Sequence, residues 1–596
     1  MSAAAEPLFG VRRSLRGRRW VLKSADDATA REIAQRHGVS DALARLLAAR
    51  GESAQTAGGF LDPRLRDSFP DPSSFTGMDA AASLIWDTIE RGAKIALFAD
   101  YDVDGASSAA QLHAWLSEVS EPPLIYVPDR IEEGYGPNAP ALAQLKDQGA
   151  ELVITLDCGA ASVQPLEAAR AMDLTVAVVD HHLMEGEAPP AAALVNPNQP
   201  GDVSGCGHMA AAGVTFVLLA ALNREGRRRG RFKARAEPDV LALADLAALG
   251  TICDVVALTG VNRAIAAQGL KVMSRWSRTG LKALADIAGV TGPATPYHAG
   301  FLLGPRINAG GRIGKSNLGA RLLTTDDPAE ARRIAEELDQ LNAERRAIES
   351  EVLDAASAKL EAAGVDDDAP VLIASGEHWH PGVIGIAAGR IKERFNRPAI
   401  IIGIDPKTGL GKGSGRSCTG VDLGSAVAAA REAGLLIAGG GHAMACGLTV
   451  TTEKITELTA FLTETLAASW RAADAAREYA VDAVVHPAAV SFEFADQLSA
   501  AAPFGQGNPE PRFAFSDVRR TFAQRVGSDH VRFTLEARTG ERVNGIAFRC
   551  ADEAMGQALL QGGEAVFHAA GKLKADDSRF GKRADFHLED LAEAGG

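Results

Sequence analysis

Four short stretches of this chain are apolar at almost every position: Ile95-Ala-Leu-Phe98, Leu124-Ile-Tyr-Val127, Leu152-Val-Ile-Thr-Leu156 and Val176-Ala-Val-Val179. A strand with one solvated face alternates polar and apolar residues, so an uninterrupted run must be covered on both faces. Helical segments alternate with these runs from Met78 onward. The pattern predicts an α/β fold around a parallel sheet. Three of the runs or their neighbours end in acids. The first delivers Asp100, Asp102 and Asp104, the third Asp157, and the fourth Asp180 followed by His181 and His182. Sites in open α/β sheets form at the carboxyl ends of strands, so these groups are expected to converge in one crevice.

That many carboxylates in one crevice repel one another unless cations neutralise them. Oxygen ligands with one or two imidazoles suit Mg²⁺ or Mn²⁺, and histidine tilts the choice towards Mn²⁺. An aspartate shared by two ions about 3.5–4 Å apart gives a clamp for in-line phosphoryl displacement. Asp254, after an Ala/Leu-rich helix, is a further candidate ligand.

With 596 residues the chain has room for three to four domains. Residues 1–75 are expected as a helical extension and 76–326 as the first α/β lobe. Residues 327–364 read as one long helix, with Asp327 at its N-cap, Pro328 in the first turn and Gly364 past its end. At 1.5 Å per residue it spans about 55 Å, a spacer between lobes. A second α/β region covers 365–475, with strands near Val371–Ala374 and Ala399–Ile404. Residues 476–596 carry short alternating strands, Val531–Leu535, Val543–Phe548 and Ala565–Ala570, the pattern of a small barrel such as an OB-fold.

The net charge of −14 argues against whole-chain attraction to nucleic acid, although a processing enzyme needs only a local positive channel. One basic stretch, Arg224 to Arg235, holds seven Lys/Arg and reads first as a solvated loop, with a DNA-facing role as the alternative. Six scattered cysteines without a C-x-x-C pair suit buried thiols in a reducing compartment, with thiolate ligation by Cys158 or Cys253 the minor alternative. No apolar run reaches membrane-spanning length and no secretory signal opens the chain, which gives a cytoplasmic expectation.

The segments Asp100-Tyr-Asp-Val-Asp-Gly105, Leu156-Asp-Cys-Gly159, Asp180-His-His182 and Cys253-Asp-Val-Val256 resemble the four metal motifs of the DHH phosphoesterases. Gly304-Pro-Arg-Ile-Asn-Ala-Gly-Gly-Arg-Ile-Gly314 is similar to a further motif of the family's RecJ branch. His378-Trp-His-Pro-Gly-Val-Ile-Gly-Ile386, Gly413-Ser-Gly-Arg-Ser417 and Gly439-Gly-Gly-His-Ala-Met-Ala-Cys-Gly447 resemble a DHHA1 domain. Pro503-Phe-Gly-Gln-Gly-Asn-Pro-Glu-Pro-Arg-Phe513 resembles the opening of the RecJ OB-fold. The resemblance implies two α/β lobes, DHH and DHHA1, joined by the long helix and followed by an OB barrel. It departs from the family pattern at Ala160-Ala161 and in Gly205–Gly213.

By the same resemblance Asp102, Asp104, Asp157, His181 and Asp254 are metal ligands, with Asp157 the bridge between two Mn²⁺ or Mg²⁺ ions. Asp100 and Asp180 are either ligands or groups that orient one; Asp180 is suited to fixing an imidazole tautomer. His182 is expected at the scissile phosphate. Arg306 and Arg312 are expected to neutralise phosphate oxygens. Asn308 and His442 join the substrate contacts, and Arg130, Ser414 and Arg416 form a 5′-phosphate pocket. The glycine-rich segments at 411–417 and 439–442 are expected as loops whose amides approach phosphates. In the barrel, Phe513, His530, Arg532, Phe548, Lys572 and Lys574 are candidate strand contacts.

The implied activity is 5′→3′ hydrolysis of single-stranded DNA to 5′-mononucleotides, in repair and recombination. Implied associates are single-strand-binding protein and a RecQ-type helicase, and the implied state is a monomer away from any membrane. A phosphodiesterase acting on nanoRNA or other small phosphoesters is the alternative on this scaffold, and a metal-free replication scaffold is the non-enzymatic one. The long helix and barrel weigh against the first, because a small ligand offers them nothing to grip. The complete acidic set weighs against the second.

Overall fold

The computed structural model describes residues 6–130, 132–184, 186–364, 369–561, 563, 565–578 and 581–594. The chain divides into two compact units. The larger is Ser68–Ala473 with Gly505–Gly507; the smaller combines the chain up to Asp67 with Asp474–Phe504 and the residues from Asn508 onward.

The larger unit holds two sheets. Five parallel strands build the first in the order Leu124–Tyr126, Lys94–Ala99, Ala150–Leu156, Thr175–Val179, Ala193–Val195. Four match the apolar runs; the fifth, Ala193–Val195, is not among them. From the Lys94–Ala99 strand the chain steps to one side, then returns to the other to lay down Ala150–Leu156. This reversal opens a crevice between the ends of those two strands. The helix Val103–Val119 starts at its mouth, capped by Asp102 and buried along most of its length. It tucks under the strand end only because residue 105 is glycine: a Cβ there would lie 2.4 Å from the Asp100 carbonyl oxygen.

Pro328–Ala362 is one helix with Asp327 at its N-cap, as its sequence predicts. Its two halves serve different cores. Ala331, Ile334, Ala335 and Leu338 are buried in the half that packs on helices Thr279–Ile287 and Gly304–Ile313. Val352, Ala356 and Leu360 join the core of the second lobe with Leu372, Ile384 and Ile401. The helix is thus a rigid shared element of both lobes.

The second sheet is mixed, in the order Ala438–His442, Ala445–Thr451, Leu410–Arg416, Ala399–Asp405, Leu372–Glu377, with only the last pair parallel. Helix Pro381–Phe395 covers one face; Leu423–Glu432 and Ile455–Ala475 cover the other. Here an expectation fails. The glycine-rich segments at 411–417 and 439–442 are largely strand and not phosphate-cradling loops. The amides of Leu410–Arg416, with a neighbour on each side, are committed to sheet pairing.

In the smaller unit, strands Arg512–Val526, His530–Glu536, Arg542–Ala547, Gly581–Glu593 and Val566–Ser578 pair in sequence, and Val566–Ser578 pairs back to Arg512–Val526 to close a barrel. Its core includes Phe515, Phe533 and Phe586. Residues 1–75 were expected to be helical, yet Arg19–Leu22 is a strand running parallel to Glu478–Val481. Trp20 is buried with Tyr479 and Ala592, and its indole N–H donates to Asp590, which Ser14 also bonds. Helices Asp27–His37 and Asp41–Ala49 share a core with Leu498 and Phe513. The start of the chain therefore belongs to the barrel's unit.

Candidate functional site

The three strand ends and the helix Ala244–Cys253 bring their acids together. Ligand atoms of Asp100, Asp102 and Asp157 lie within 4.8 Å of one another; so do those of Asp104, His181 and Asp254, and those of Asp157, His181 and His182. Asp157 and His181 are each shared between two of these triplets, which gives two adjacent candidate cation positions. His181 Nε2 stands 3.4 Å from Asp157, 3.8 Å from Asp254 and 3.9 Å from Asp104. Its Nδ1 lies 2.9 Å from the Met209 carbonyl, which accepts only from a protonated nitrogen. That bond leaves Nε2 with its lone pair aimed at the acids.

Asp157 sits at the strained centre. Its φ is +61°, a left-handed conformation that a non-glycine residue adopts only when its surroundings impose it. Its Oδ1 is buried and has no hydrogen-bond partner among the described residues. A buried, unpartnered carboxylate oxygen calls for a cation. Burial, then the neighbouring acids, pushes the carboxyls of Asp100, Asp104 and Asp157 well above the usual range. Burial and Asp102 push Asp254 up to about 7. The donor set fits hard divalent ions: oxygen-rich, with imidazole, and electrostatically unstable without positive charge.

Asp180 is different. Its carboxylate accepts from the amides of Ala160, His181 and His182 and from His182 Nδ1 at 2.7 Å. Burial alone would raise it, but these bonds outweigh burial and hold it below the usual carboxylate range. It belongs to none of the ligand triplets, so the geometry makes it the group that orients the His182 ring and anchors the His181 amide. The departure at Ala160 does no harm here, because only its amide is used. His182 is half exposed, its charged form favoured by Asp180 against the effect of burial.

Beside the acids lies a cavity of about 530 Å³ whose lining includes Arg130, Arg312, Lys412, Ser414 and Arg416; no carboxylate lines it among the described residues. Arg130 rests over the Tyr101 ring, 5.0 Å from its centroid, and donates to its hydroxyl. Arg416 donates to Ser414 Oγ at 3.1 Å, and Arg312 donates to the Gly382 carbonyl. Burial, then mutual repulsion of these guanidiniums, lowers the pKa of Arg416 and Arg130. Both lobes contribute, so the cavity exists only where they meet.

Other expected contacts fall elsewhere. Arg306 is bonded to Asp339 at 2.9 Å and to the Leu302 carbonyl, which ties its helix to the long one. Asn308 accepts from the Val103 amide and so braces the Asp102 turn. His442 shares the sheet face with Arg416 but does not line the cavity. The basic stretch is paired: Arg224 with Asp71 and Asp79, Arg227 with Glu237, Arg228 and Arg229 with Glu225, Arg231 with Glu90. Cys158 and Cys253 are held as thiols, raised chiefly by burial. In the barrel, Phe513 is buried, and Lys572 and Lys574 are paired with Glu510. Arg532 lines a barrel groove with Phe522, Thr534 and Arg583, while Phe548 is exposed against His530.

Sequence reasoning missed Tyr135. Its hydroxyl donates to the Asp157 carbonyl at 3.0 Å and lies 3.4 Å from both His182 nitrogens. An aromatic residue between two glycines in a loop after Asp129-Arg130 was the available signal.

The DHH family N-terminal domain matches residues 94–251, the DHHA1 domain 368–468 and the RecJ OB domain 481–590. The curated single-stranded-DNA-specific exonuclease RecJ of Escherichia coli is 35% identical over 85% of this chain and 88% of its own length. The chain belongs to the RecJ family. The RecJ of Bacillus subtilis is 36% identical over 87% of this chain, which spans 64% of that longer relative. The crystal structure of RecJ from Thermus thermophilus in complex with Mn²⁺ matches 96% of this chain and 79% of its own, at 29% identity and TM-score 0.78. A Mg²⁺ complex of the same protein matches with TM-score 0.74. RecJ membership gives the DHH, DHHA1 and OB domains one family order along the chain. Among the described residues, no helix is long and apolar enough to cross a membrane.

Proposed function

We propose that this RecJ-family chain is a single-stranded-DNA-specific 5′→3′ exonuclease that releases 5′-mononucleotides and acts in DNA repair and recombination. The observation that carries the reading is the pairing of a metal-type acidic centre, with Asp157 Oδ1 unpartnered, and an acid-free cationic cavity beside it. Asp100, Asp102, Asp104, Asp157, His181 and Asp254 would hold two Mn²⁺ or Mg²⁺ ions, with Asp157 the shared ligand. Those ions supply Lewis-acid stabilisation of phosphoryl oxygens and lower the pKa of water. Asp180 fixes the His182 imidazole and favours its charged form, while the Met209 carbonyl fixes that of His181, and His182 donates to an oxygen of the scissile phosphate. Tyr135 buttresses that histidine.

Arg130, Arg312, Ser414 and Arg416 take the terminal 5′-phosphate, which sets the direction of attack. Water adds to phosphorus, the P–O3′ bond breaks, and the first nucleotide leaves with its 3′-hydroxyl while the next phosphate becomes the new 5′ end. A cavity enclosed between two lobes excludes a duplex. Arg532, Phe522 and Phe548 on the barrel suit a strand held by stacking and charge. Single-strand-binding protein, a RecQ-type helicase, a monomeric state and a cytoplasmic address follow from the same reading.

The test is degradation of 5′- and 3′-labelled single- and double-stranded DNA with Mn²⁺, with Mg²⁺ and with chelator. Stepwise loss from the 5′ end of single strands, abolished by chelator, is expected. Activity confined to a dinucleotide would overturn the reading in favour of a small-phosphoester hydrolase.

A further inference from the structure

The register of the second sheet shows how the cavity continues past its arginines. Arg416, Ala445 and His442 stand side by side across three strands; Ser414, Gly447 and Gly440 form the next row, and Lys412, Thr449 and Ala438 the one after. All nine residues share one face, because side chains alternate along a strand and rows two residues apart point the same way. The middle row is bare: a Cβ built on Gly440 or on Gly447 meets nothing within 4 Å. The cavity runs over this floor, and Lys412, Gly440, Gly447 and Thr449 line it. At about 530 Å³ it has the volume of clefts that enclose a whole small ligand, roughly 300–1,000 Å³, and far exceeds one phosphate.

Charge follows the same direction. Arg130 and Arg312 stand nearest the acidic centre, since each feels one of its aspartates; Arg416 feels only those two arginines and Cys446. Lys412 stands one row beyond Ser414, about 7 Å further along the strand. Its ammonium has no ion pair or hydrogen bond among the described residues. Gly385 keeps the Ser414–Arg416 end open, because a Cβ there would lie 3.0 Å from Ser414 Oγ and 3.1 Å from an Arg416 nitrogen. Cations over a smooth, acid-free floor match a chain of phosphates better than a single one.

We infer that this cavity accepts polyphosphorylated 5′ ends, with the first phosphate at Ser414 and Arg416 and the second and third passing over Gly447 to Lys412 and Thr449. The inference rests on reading the cavity as the 5′-end site. Cleavage is unchanged in its atoms: water adds to the first internucleotide phosphorus, the P–O3′ bond breaks, and the departing 3′-oxygen takes a proton. The first product is then an intact nucleoside 5′-triphosphate, and the shortened strand carries a 5′-monophosphate. No phosphoanhydride bond is broken.

The experiment uses the full chain and one oligodeoxynucleotide sequence with a 5′-hydroxyl, 5′-monophosphate or 5′-triphosphate. Binding is measured without divalent ions, and first products are separated after a short reaction with Mn²⁺. The triphosphorylated strand is expected to bind at least as tightly as the monophosphorylated one and to release a nucleoside triphosphate. Lys412→Ala should weaken binding of the triphosphorylated strand about fivefold, the contribution of an exposed ion pair, and leave the monophosphorylated strand unaffected. Lys412→Arg should restore it. Triphosphorylated ends bound no better than hydroxyl ends, release of pyrophosphate, or equal weakening of both phosphorylated strands by Lys412→Ala would overturn the inference alone. Indifference to the monophosphate would instead sink the assignment of the cavity to the 5′ end, and this inference with it.

Discussion

At the acidic centre, like charges arrive from the ends of three parallel strands and one helix. At the cationic cavity they arrive from a loop, a helix and alternate positions of a single strand. Each cluster is unfavourable by itself: burial and repulsion raise the aspartates and lower the arginines. The protein nevertheless stabilises them differently. The acids are fixed by backbone, with Asp104 accepting from the amides of Ala211 and Ala212 at a helix N-terminus and Asp102 capping its own helix. The arginines are held by weaker neutral partners, a phenol, a hydroxyl and carbonyls. A metal centre tolerates little displacement of its ligands, whereas a phosphate pocket accepts a range of positions, and the two scaffolds differ accordingly.

The largest expected effect comes from removing the charge at the centre. Asp157→Asn should lower kcat by about a thousandfold or more, since the shared ligand is lost. The same change should stabilise the metal-free protein at neutral pH. The carboxyls of Asp100, Asp104, Asp157 and Asp254 have folded pKa values above their unfolded ones, Asp254 at about 7. Between the unfolded value near 4 and those raised values, the folded state binds more protons, so stability falls as pH rises. Thermal melts of chelated enzyme should therefore show a lower Tm at pH 8 than at pH 5, a smaller drop in Asp157→Asn, and recovery at pH 8 when Mn²⁺ is added to the unaltered protein only. An unaltered protein whose chelated Tm rises from pH 5 to pH 8 would contradict the electrostatic account.

Arg416→Ala tests the other cluster and should act more gently. Loss of a charge-assisted contact costs about 1.5–3 kcal/mol, or roughly tenfold to a hundredfold. The expected loss is confined to KM for 5′-phosphorylated strands, with 5′-hydroxyl strands and Mn²⁺ affinity unchanged. A fall in kcat on both substrates would mean that the two clusters are not separable.

The two clusters also differ in how far the sequence reveals them. The acids at the three strand ends are legible because each group follows an apolar run, and a run of that kind fixes where a strand ends. That logic puts Asp157 and His181 in one crevice, where the structure also has them, and the capping residues mark the start of the long helix. The cavity was legible only in part. Arg130, Arg312, Ser414 and Arg416 meet there, but Lys412 was overlooked, because only the strand register puts it on the same face. The glycines read as loops since glycine disfavours strands in isolation; cross-strand pairing overrides that tendency. Arg306 and Asn308 show the opposite limit: polar residues in a motif can serve the scaffold, one bonded to Asp339 and the other to the Val103 amide. The N-terminal strand escaped notice because Arg19–Leu22 is four residues long and its partner lies over 450 residues away.

The smallest expected effect separates cations that await a phosphate from cations already matched. The basic stretch ending the helix Ala211–Arg228 is the densest run of positive charge in the chain, yet the guanidiniums of Arg224, Arg227, Arg228, Arg229 and Arg231 face carboxylates at 2.5–3.0 Å. Glu225, hydrogen-bonded by Arg228, is held down to about 2, which shows how fully that pair is engaged. Each such pair has its countercharge in the folded protein and releases few ions on meeting DNA. Arg227→Ala combined with Arg228→Ala should change single-strand affinity less than about twofold and leave its salt dependence untouched. Arg416→Ala should flatten the slope of log affinity against log salt by about 0.7, the share of one phosphate contact on a single strand. Equal slopes for the two variants would mean that the cavity arginine meets no phosphate, and a flatter slope for the double variant would return the basic stretch to the DNA path.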